Sequence, residues 1–396
     1  MADLRQVITQ GHTRTRRLSV AGVFSGIGGF ELGMGQAGAH AELLCESWAP
    51  AKAVLAHRLP GVPIMQDIRS MVGLPSVDVL TAGFPCTDLS SAGGKVGIGG
   101  SASGLVGEVF RLLSTRRVPW VVLENVQNML FLGKGAAMQY VTSECERLGY
   151  RWAYRLVDSQ FTGVPQRRRR VVLVASTVGD PTEVLFADDA GAHDGACLDP
   201  DVFGFYWTEG NRSLGWARDA VPPLKGTSSP AIWVPHADIG HRLVTPAMDE
   251  AERLQGFKAG WVDPVSVQRI TDRWKLVGNA ITVGVARWVG ARLHSPGPPV
   301  VDSRRINTTA PWPKSAYGHG GKRWEVDASM WPTQGPYQHL RDIVALRNAA
   351  PLSQRAAAGF YRRVARSGLR TAPGFLDDVY RHAIHQGLSI SPERGR

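Results

Sequence analysis

The sequence predicts an α/β fold built on a parallel sheet, and three observations carry that expectation. Short apolar runs (Val20 to Phe24, Leu43-Leu44, Val77 to Leu80, Trp120 to Leu123, Val171 to Ala175) alternate with stretches of helical spacing such as Val106 to Leu113 and Met138 to Leu148, and strands that alternate with helices bury both faces of a parallel sheet. The first run breaks into Ser25-Gly26-Ile27-Gly28-Gly29 and resumes at Phe30, Leu32 and Met34, the order of a strand, a tight turn and a helix. With 43% hydrophobic and 20% charged residues, the 396-residue chain is globular, and long enough for one large domain with appendages or several small ones.

Later segments extend this pattern and interrupt it. Residues 177–211 carry eight acids and neither Lys nor Arg, with Gly and Pro throughout, so residues 177–240 read as an inserted small domain or long excursion. The α/β texture returns over residues 241–294, at Glu250 to Phe257 and at Leu276 to Leu293, the second with helical periodicity. Pro296, Pro298 and Pro299 then open a basic C-terminal extension, residues 295–396, in which Phe360, Tyr361, Val364, Leu369, Phe375, Leu376, Val379 and Tyr380 predict a packed core of its own. Residues 1–17 read as a polar, basic N-terminal arm, leaving residues 18–176 as the main catalytic and cofactor-binding unit.

Composition excludes several classes. No apolar stretch approaches the 18 or so residues that cross a bilayer, and no apolar run follows the basic N-terminus, so neither membrane partner nor secretion is expected and the location is cytoplasmic. Cys45, Cys86, Cys145 and Cys197 lie far apart without a Cys-x-x-Cys, which argues against a zinc site or a disulfide framework; no metal is expected. The formal charge of +11 points to a polyanion.

Glycines at a strand-to-helix turn let the backbone approach a cofactor, which makes Phe24, Gly26, Gly28 and Gly29 the first candidates, although the full G-x-G-x-x-G spacing is absent. Glu46, twenty residues beyond Gly26, is placed to accept from ribose hydroxyls, and Asp67 to read an adenine amino group. Cys86 sits on the loop Gly83-Phe84-Pro85-Cys86 just after the strand Val77 to Leu80, where a doubly wound sheet presents catalytic groups; Cys45, Cys145 and Cys197 read as ordinary thiols. Glu124 and Asn125 end another strand at the same crevice. In Gln166-Arg167-Arg168-Arg169-Arg170, alternation places Arg168 and Arg170 on one face.

The ordered set FSGIGGFELG, GFPCTDLSSAG, ENV, QRRRR, RLQGF and GNAITVGV across residues 18–290 resembles the cytosine-C5 DNA methyltransferases. The resemblance implies a Rossmann-like sheet that binds S-adenosylmethionine, with a small inserted target-recognition domain at residues 177–240. It implies Cys86 as the nucleophile toward C6 of a flipped cytosine, Glu124 at N3 and the exocyclic amine, Arg170 at O2 and Arg168 in support. Phe24, Gly26, Gly28 and Gly29 would lie at the methionine and ribose side, Glu46 on the ribose, Asp67 and Ile68 on adenine, and Pro85 beside the nucleophile. Asn279 belongs to the last motif, whose helix packs beside the glycine turn. The implied partner is double-stranded DNA, bound by a monomer in a restriction-modification, anti-restriction or orphan role, with a companion restriction endonuclease in the first of these. A tRNA cytosine methyltransferase and a catalytically silent DNA-binding protein of the same fold are the alternatives.

Several positions depart from the pattern: Gly22 stands where Asp is common, Thr87 where Gln follows the nucleophile, Ala102 where Arg is frequent and Lys258 where Pro follows the Phe, and two extra residues separate Thr245-Pro246 from Glu250. The charge is also unevenly placed. Residues 291–396 hold 16 Lys or Arg against 7 acids, net +9, whereas residues 1–290 hold 29 against 27, net +2. An auxiliary DNA-backbone contact by the extension would make truncation after about residue 294 flatten the salt dependence of binding.

Overall fold

The computed structural model describes residues 17–85, 103–191, 195–206, 214–226, 229–235, 242–263 and 266–384. In chain order the elements of the first half are β1 (Ser19–Val23), α1 (Gly29–Gln36), β2 (His40–Cys45), α2 (Ala49–Arg58), β3 (Ile64–Met65), β4 (Val79–Gly83), α3 (Ser103–Thr115), β5 (Trp120–Val126), α4 (Ala136–Arg147), β6 (Arg151–Asp158) and β7 (Arg169–Ser176). There follow α5 (Thr182–Leu185), β8 (Phe203–Tyr206), β9 (Gly215–Arg218), β10 (Ala231–Trp233), β11 (Leu243–Thr245), α6 (Met248–Leu254), α7 (Ile270–Asn279) and α8 (Val283–His294). The last are β12 (Ser303–Ile306), β13 (Ser315–His319), β14 (Lys322–Val326), α9 (Leu340–Ile343), β15 (Ala350–Pro351), α10 (Gln354–Ser367) and α11 (Phe375–Ile384).

A ten-stranded sheet in the order β12-β14-β13-β6-β7-β5-β4-β1-β2-β3 forms the centre. Pairing is parallel from β3 through β2, β1 and β4 to β5, as the alternating pattern predicts. Beyond β5 the sheet turns antiparallel: β7 lies between β5 and β6 and opposes both. The physical reason is the ten-residue link between β6 and β7, too short for the crossover that a parallel neighbour needs. The consequence is chemical, because the start of β7 is set beside the end of β5, with Arg170 opposite Val126 and Val172 opposite Glu124.

Both faces of this sheet are covered. On one, Ala21, Val23, Leu80, Leu123 and Leu173 pack against Val109 and Phe110 of α3 and Met138 and Val141 of α4. On the other, Val20, Val79, Val122 and Val172 meet Phe30 and Met34 of α1 and Val285, Trp288 and Val289 of α8. Helices α1 and α8 approach closely because Gly33 faces the Val283 carbonyl and Ala286, and Gly290 faces Met34; a Cβ at either would collide. Leu276 to Leu293, expected as one helical stretch, is two helices: Ala280 is extended (φ −66°, ψ 150°) and breaks it just after Asn279.

The second sheet, β15-β11-β10-β8-β9, is antiparallel and five-stranded. Its alternation divides it between two cores. Val202, Ile232 and Val244 join Leu254 of α6, Leu276 and Val277 of α7 and Leu340 of α9. Phe205, Trp233 and Leu243 face the other way, onto Phe360 and Val364 of α10 and Phe375 and Val379 of α11.

The C-terminal segment is accordingly shared out. Strands β12, β13 and β14 extend the large sheet through β13 on β6, while β15 pairs with β11. The expected separate core of the extension is instead shared with the second sheet: α10 and α11 pack on one another, and their remaining apolar surface is closed by the aromatic face of that sheet. Part of the acidic excursion also returns to the main body. Val184, Leu185 and Phe186 lie in the core beside α8, Asp189 pairs with fully buried Arg155 at 2.6 Å, and Asp188 with Arg292 at 2.7 Å. No helix among the described residues is long and apolar enough to cross a membrane, and they contain no metal-binding cluster of His, Cys, Asp and Glu.

Candidate active site

At the ends of β1, β2, β4 and β5, and against the break between α7 and α8, lies a cavity of about 650 Å³. It gathers most of the candidates: Phe24, Gly26, Gly29, Glu46, Asp67, Ile68, Pro85, Glu124, Arg168, Arg170 and Asn279 all line it. Gly28 lies one step outside the lining as the left-handed N-cap of α1 (φ 82°). Cys86, Thr87 and Ala102 lie outside the described residues. Pro85, at the cavity wall, brings the chain to the residue before Cys86.

The turn after β1 is held in an unusual shape. Phe24 has φ 57°, a left-handed conformation costly for an aromatic residue, and Gly26 follows at φ 56°. The Ser25 amide donates to the Cys45 carbonyl (3.1 Å), and the Gly28 amide returns to the Ser25 carbonyl (2.9 Å). A Cβ on Gly26 would meet nothing within 4 Å, which leaves an open cradle over the turn. Glu46 spans it, accepting from the Gly26 amide at 2.8 Å and the Trp48 amide at 2.7 Å. Both carboxylate oxygens are thereby fixed while each keeps lone pairs for a further donor. Asp67 caps a short helical turn at Ile68 and receives Arg69 at 2.6 to 3.1 Å, bonds that hold its carboxyl down to about 2. It enters the cavity as half of an ion pair, so Arg69 belongs to that end of the site as well.

The opposite end is built by β5 and β7. Arg170 Nε stands 2.8 Å from Glu124 Oε1, with both side chains largely buried, an arrangement available only because β7 runs antiparallel. Arg168, 2% exposed, points elsewhere: it donates to the carbonyls of Leu224 (3.1 Å), Gly278 (3.1 Å) and Ala280 (2.9 Å). It therefore fastens the approach to β7 to the α7–α8 break and to the chain leading into the second sheet. Asn125 Nδ2 donates to the Phe84 carbonyl at 3.2 Å, holding the loop that leads to Cys86 against β5.

Other residues at the site had weaker signals in the sequence. Buried Gln166 donates to the Leu254 carbonyl (2.9 Å) and to Gln255, accepts from the Leu224 amide (3.0 Å), and Gln255 in turn donates to the Ala280 carbonyl. Both glutamines sit inside motifs already singled out, and a burial pattern was the missing information. Trp48 lines the cavity under the Lys275 ammonium, 4.6 Å from its ring centroid. Cys45 also lines the cavity, but burial pushes its thiol up to about 11, which disfavours the thiolate and removes it as a rival nucleophile.

A second recess of about 540 Å³ shares Val126 and Arg170 with the first and opens between Arg167 and Arg169 on one side and Trp216, Pro222 and Pro223 on the other. A cradle of glycines with an anchored carboxylate, set beside a buried carboxylate–guanidinium pair and a cationic cleft, can hold a nucleoside-containing cofactor next to a polar planar ring.

Comparison with known proteins agrees with this geometry. The model of the C-5 cytosine-specific DNA methylases matches residues 18–189. The chain is 44% identical to the Type II methyltransferase M2.BsuMI of Bacillus subtilis (strain 168) over 372 residues, 88% of this chain and 94% of that one. It is 25% identical to the Type II methyltransferase M.Bsp6I of Bacillus sp. (strain RFL6), over 70% of this chain and 98% of that one. The crystal structure of the S. pombe Dnmt2 methyltransferase shares the fold, with a TM-score of 0.52 at 15% identity over 70% of this chain. A likeness of 44% across nearly the whole of two chains, on top of the matched motifs, makes this protein a member of the C-5 cytosine-specific DNA methylase family.

Proposed function

We propose that this DNA cytosine-5 methyltransferase carries out its reaction in the 650 Å³ cavity, with S-adenosylmethionine over the glycine turn and a flipped cytosine against Glu124 and Arg170. The observation that carries the reading is the Glu124–Arg170 pair on the wall that also presents Pro85. The cofactor fit rests on the open cradle at Gly26 and on Glu46, whose carboxylate is fixed by two amides and aimed where ribose hydroxyls would donate. Phe24, Gly29, Asp67, Ile68 and Asn279 complete the binding surface, with Gly28 shaping the turn from behind as the N-cap of α1, and the bound cofactor supplies the methyl group.

The chain's own residues supply the rest. Carbon 5 of cytosine is a poor nucleophile until a bond forms at C6. In this reading the Cys86 thiolate makes that bond, Glu124 holds a proton at N3 so that the electron pair moves toward C5, and Arg170 donates to O2. Once C5 carries the methyl group, loss of the C5 proton expels the Cys86 sulfur and frees the base. Arg168 acts through its carbonyl contacts, by holding the wall from which Arg170 projects. Extruding the base costs a few kcal/mol. The second sheet, over which the recess of Arg167, Arg169 and Trp216 opens, is the target-recognition unit in this reading. Its relatives' Type II names support a modification role beside an endonuclease of the same specificity.

The test is methylation of DNA and of tRNA by wild type, Cys86→Ala and Glu124→Gln, read by bisulfite sequencing. Cys86→Ala is expected to lose all transfer while still binding cofactor, and Glu124→Gln to lose about 10²- to 10⁴-fold in turnover with DNA affinity retained. Activity in Cys86→Ala would end the covalent mechanism, and transfer to tRNA alone would redirect the substrate.

A further inference from the structure

A buried carboxyl behind the cofactor turn takes no part in the mechanism above. Glu31, in the first turn of α1, is 5% exposed, and neither of its oxygens makes a well-formed hydrogen bond among the described residues. It occupies the space of a missing side chain: a Cβ on Gly22 would lie 1.9 Å from Glu31 Oε1 and 2.9 Å from Ser25 Oγ. Gly22 pairs with Thr81 of β4, and the buried hydroxyls of Ser25 and Thr81 likewise make no well-formed hydrogen bond among the described residues. One polar cluster thus lies beneath both the turn and the strand that runs on to Pro85 and Cys86.

A buried carboxyl without an ion-pair partner is costly to ionise unless something draws charge onto it. Burial, with a smaller contribution from Glu46, pushes Glu31 up to about 7 against the pull of its own amide and the Ser25 hydroxyl. The other charged groups on the elements around it are His40 and Glu42 on β2, Lys52, His57 and Arg58 on α2, and Arg287, Arg292 and His294 on α8. Of these, Arg58 is turned to the Gly260 and Trp261 carbonyls, Arg292 to Asp188 and His40 to Glu42. No cation forms an ion pair with Glu31 among the described residues. The turn residues Phe24, Ser25 and Gly26 separate it from the cavity they line.

We propose that Glu31 is a positioning residue for the cofactor turn: its carboxyl replaces a β1 side chain at Gly22 and takes up negative charge when a cationic cofactor seats on the turn's other side. The inference rests on the S-adenosylmethionine reading, since that cofactor carries a sulfonium that S-adenosylhomocysteine lacks. A cation that binds the ionised form releases a proton, so its affinity rises with pH up to the carboxyl's own titration and then levels.

Calorimetric titration of the full-length protein with each compound between pH 5.5 and 8.5 tests this. S-adenosylmethionine is expected to tighten about tenfold from pH 6 to pH 8 and S-adenosylhomocysteine by less than about threefold. Glu31→Gln, of the same shape, flattens the first profile. Gly22→Asp lowers the thermal midpoint alone, and combined with Glu31→Ala restores the pH step by returning a carboxyl to the same space from β1. A step that survives in Glu31→Gln, or equal steps for both compounds, overturns the inference. If Glu31→Gln does not fold, the double variant decides, and a flat profile there overturns it too. Failure of the wild type to bind S-adenosylmethionine at any pH overturns the cofactor reading itself.

Discussion

The ten-stranded sheet takes seven of its strands from residues 19–176, covered by helices from the same stretch and by the distant α8, whereas the five-stranded sheet draws β8 to β11 from residues 203–245 and β15 from residues 350–351. Its outer face is closed by α10 and α11, more than a hundred residues beyond β11. One sheet is largely a local product, with a motif at each strand end that lines the cavity. The other is a surface assembled from distant parts, and its outer face is covered by helices from the chain's end. The tail therefore packs as part of the second sheet, and its positive charge must be judged in that setting.

The comparison breaks most visibly at Phe375, which packs edge-on against Phe205, Trp216 and Trp233. Phe375→Ala is expected to remove about 3 to 5 kcal/mol from the second sheet. Because the cofactor cavity is walled mainly by the large sheet, cofactor affinity should survive while DNA binding fails; parallel loss of both in calorimetry and a DNA-binding assay would mean that the two sheets fold as one. Truncation after residue 294, the natural test of a charged tail, removes three strands of the large sheet and the cover of the small one, so it reports on folding. Point changes are cleaner. Arg355 and Arg362 are exposed on α10, and replacing both with Ala should lower the slope of log affinity against log salt by about 2 if each meets a phosphate. An unchanged slope assigns the tail to structure alone.

The smallest effect lies at the latch between the two regions. Asp219, fully buried on the second sheet's flank, receives His339 Nδ1 at 2.6 Å and the Leu340 amide at 2.9 Å, and the Tyr337 hydroxyl donates to its carbonyl at 2.7 Å. The bond to Asp219 raises the His339 imidazole above its ordinary value. A raised histidine adds stability that is fully present below its unfolded value near 6.5 and is lost as pH climbs through the folded one. The imidazole is exposed enough to hold this to about 0.5 kcal/mol or less. Thermal melts of wild type against His339→Gln should therefore differ at pH 6 and converge by pH 9, and a constant gap would make the contact a matter of packing.

The large sheet was legible because its signals are local. Apolar runs with turns between them mark β1, β2, β4 and β5, and Glu46, Glu124 and Arg170 could be named because each sits at a strand end that a doubly wound sheet brings to one crevice. The direction of β7 was not legible, since nothing in Arg169–Ser176 says which neighbour it will oppose, yet that direction alone puts Arg170 on Glu124. Arg168 could be named but not assigned, because its three carbonyl partners come from residues 224, 278 and 280. The break after Asn279 was hidden by a continuous helical periodicity.

The sequence by itself therefore determined the family, the reaction class and the residue types at the catalytic crevice, because chemistry demands particular groups at particular strand ends and local periodicity marks those ends. Tertiary structure decided which partners those groups meet, that the second sheet is completed by the last forty described residues, and that the space beside Gly22 is filled by Glu31. Each of those depends on contacts between segments far apart in the chain, whose pairing is selected by the burial of whole faces and leaves no mark in any local stretch of sequence.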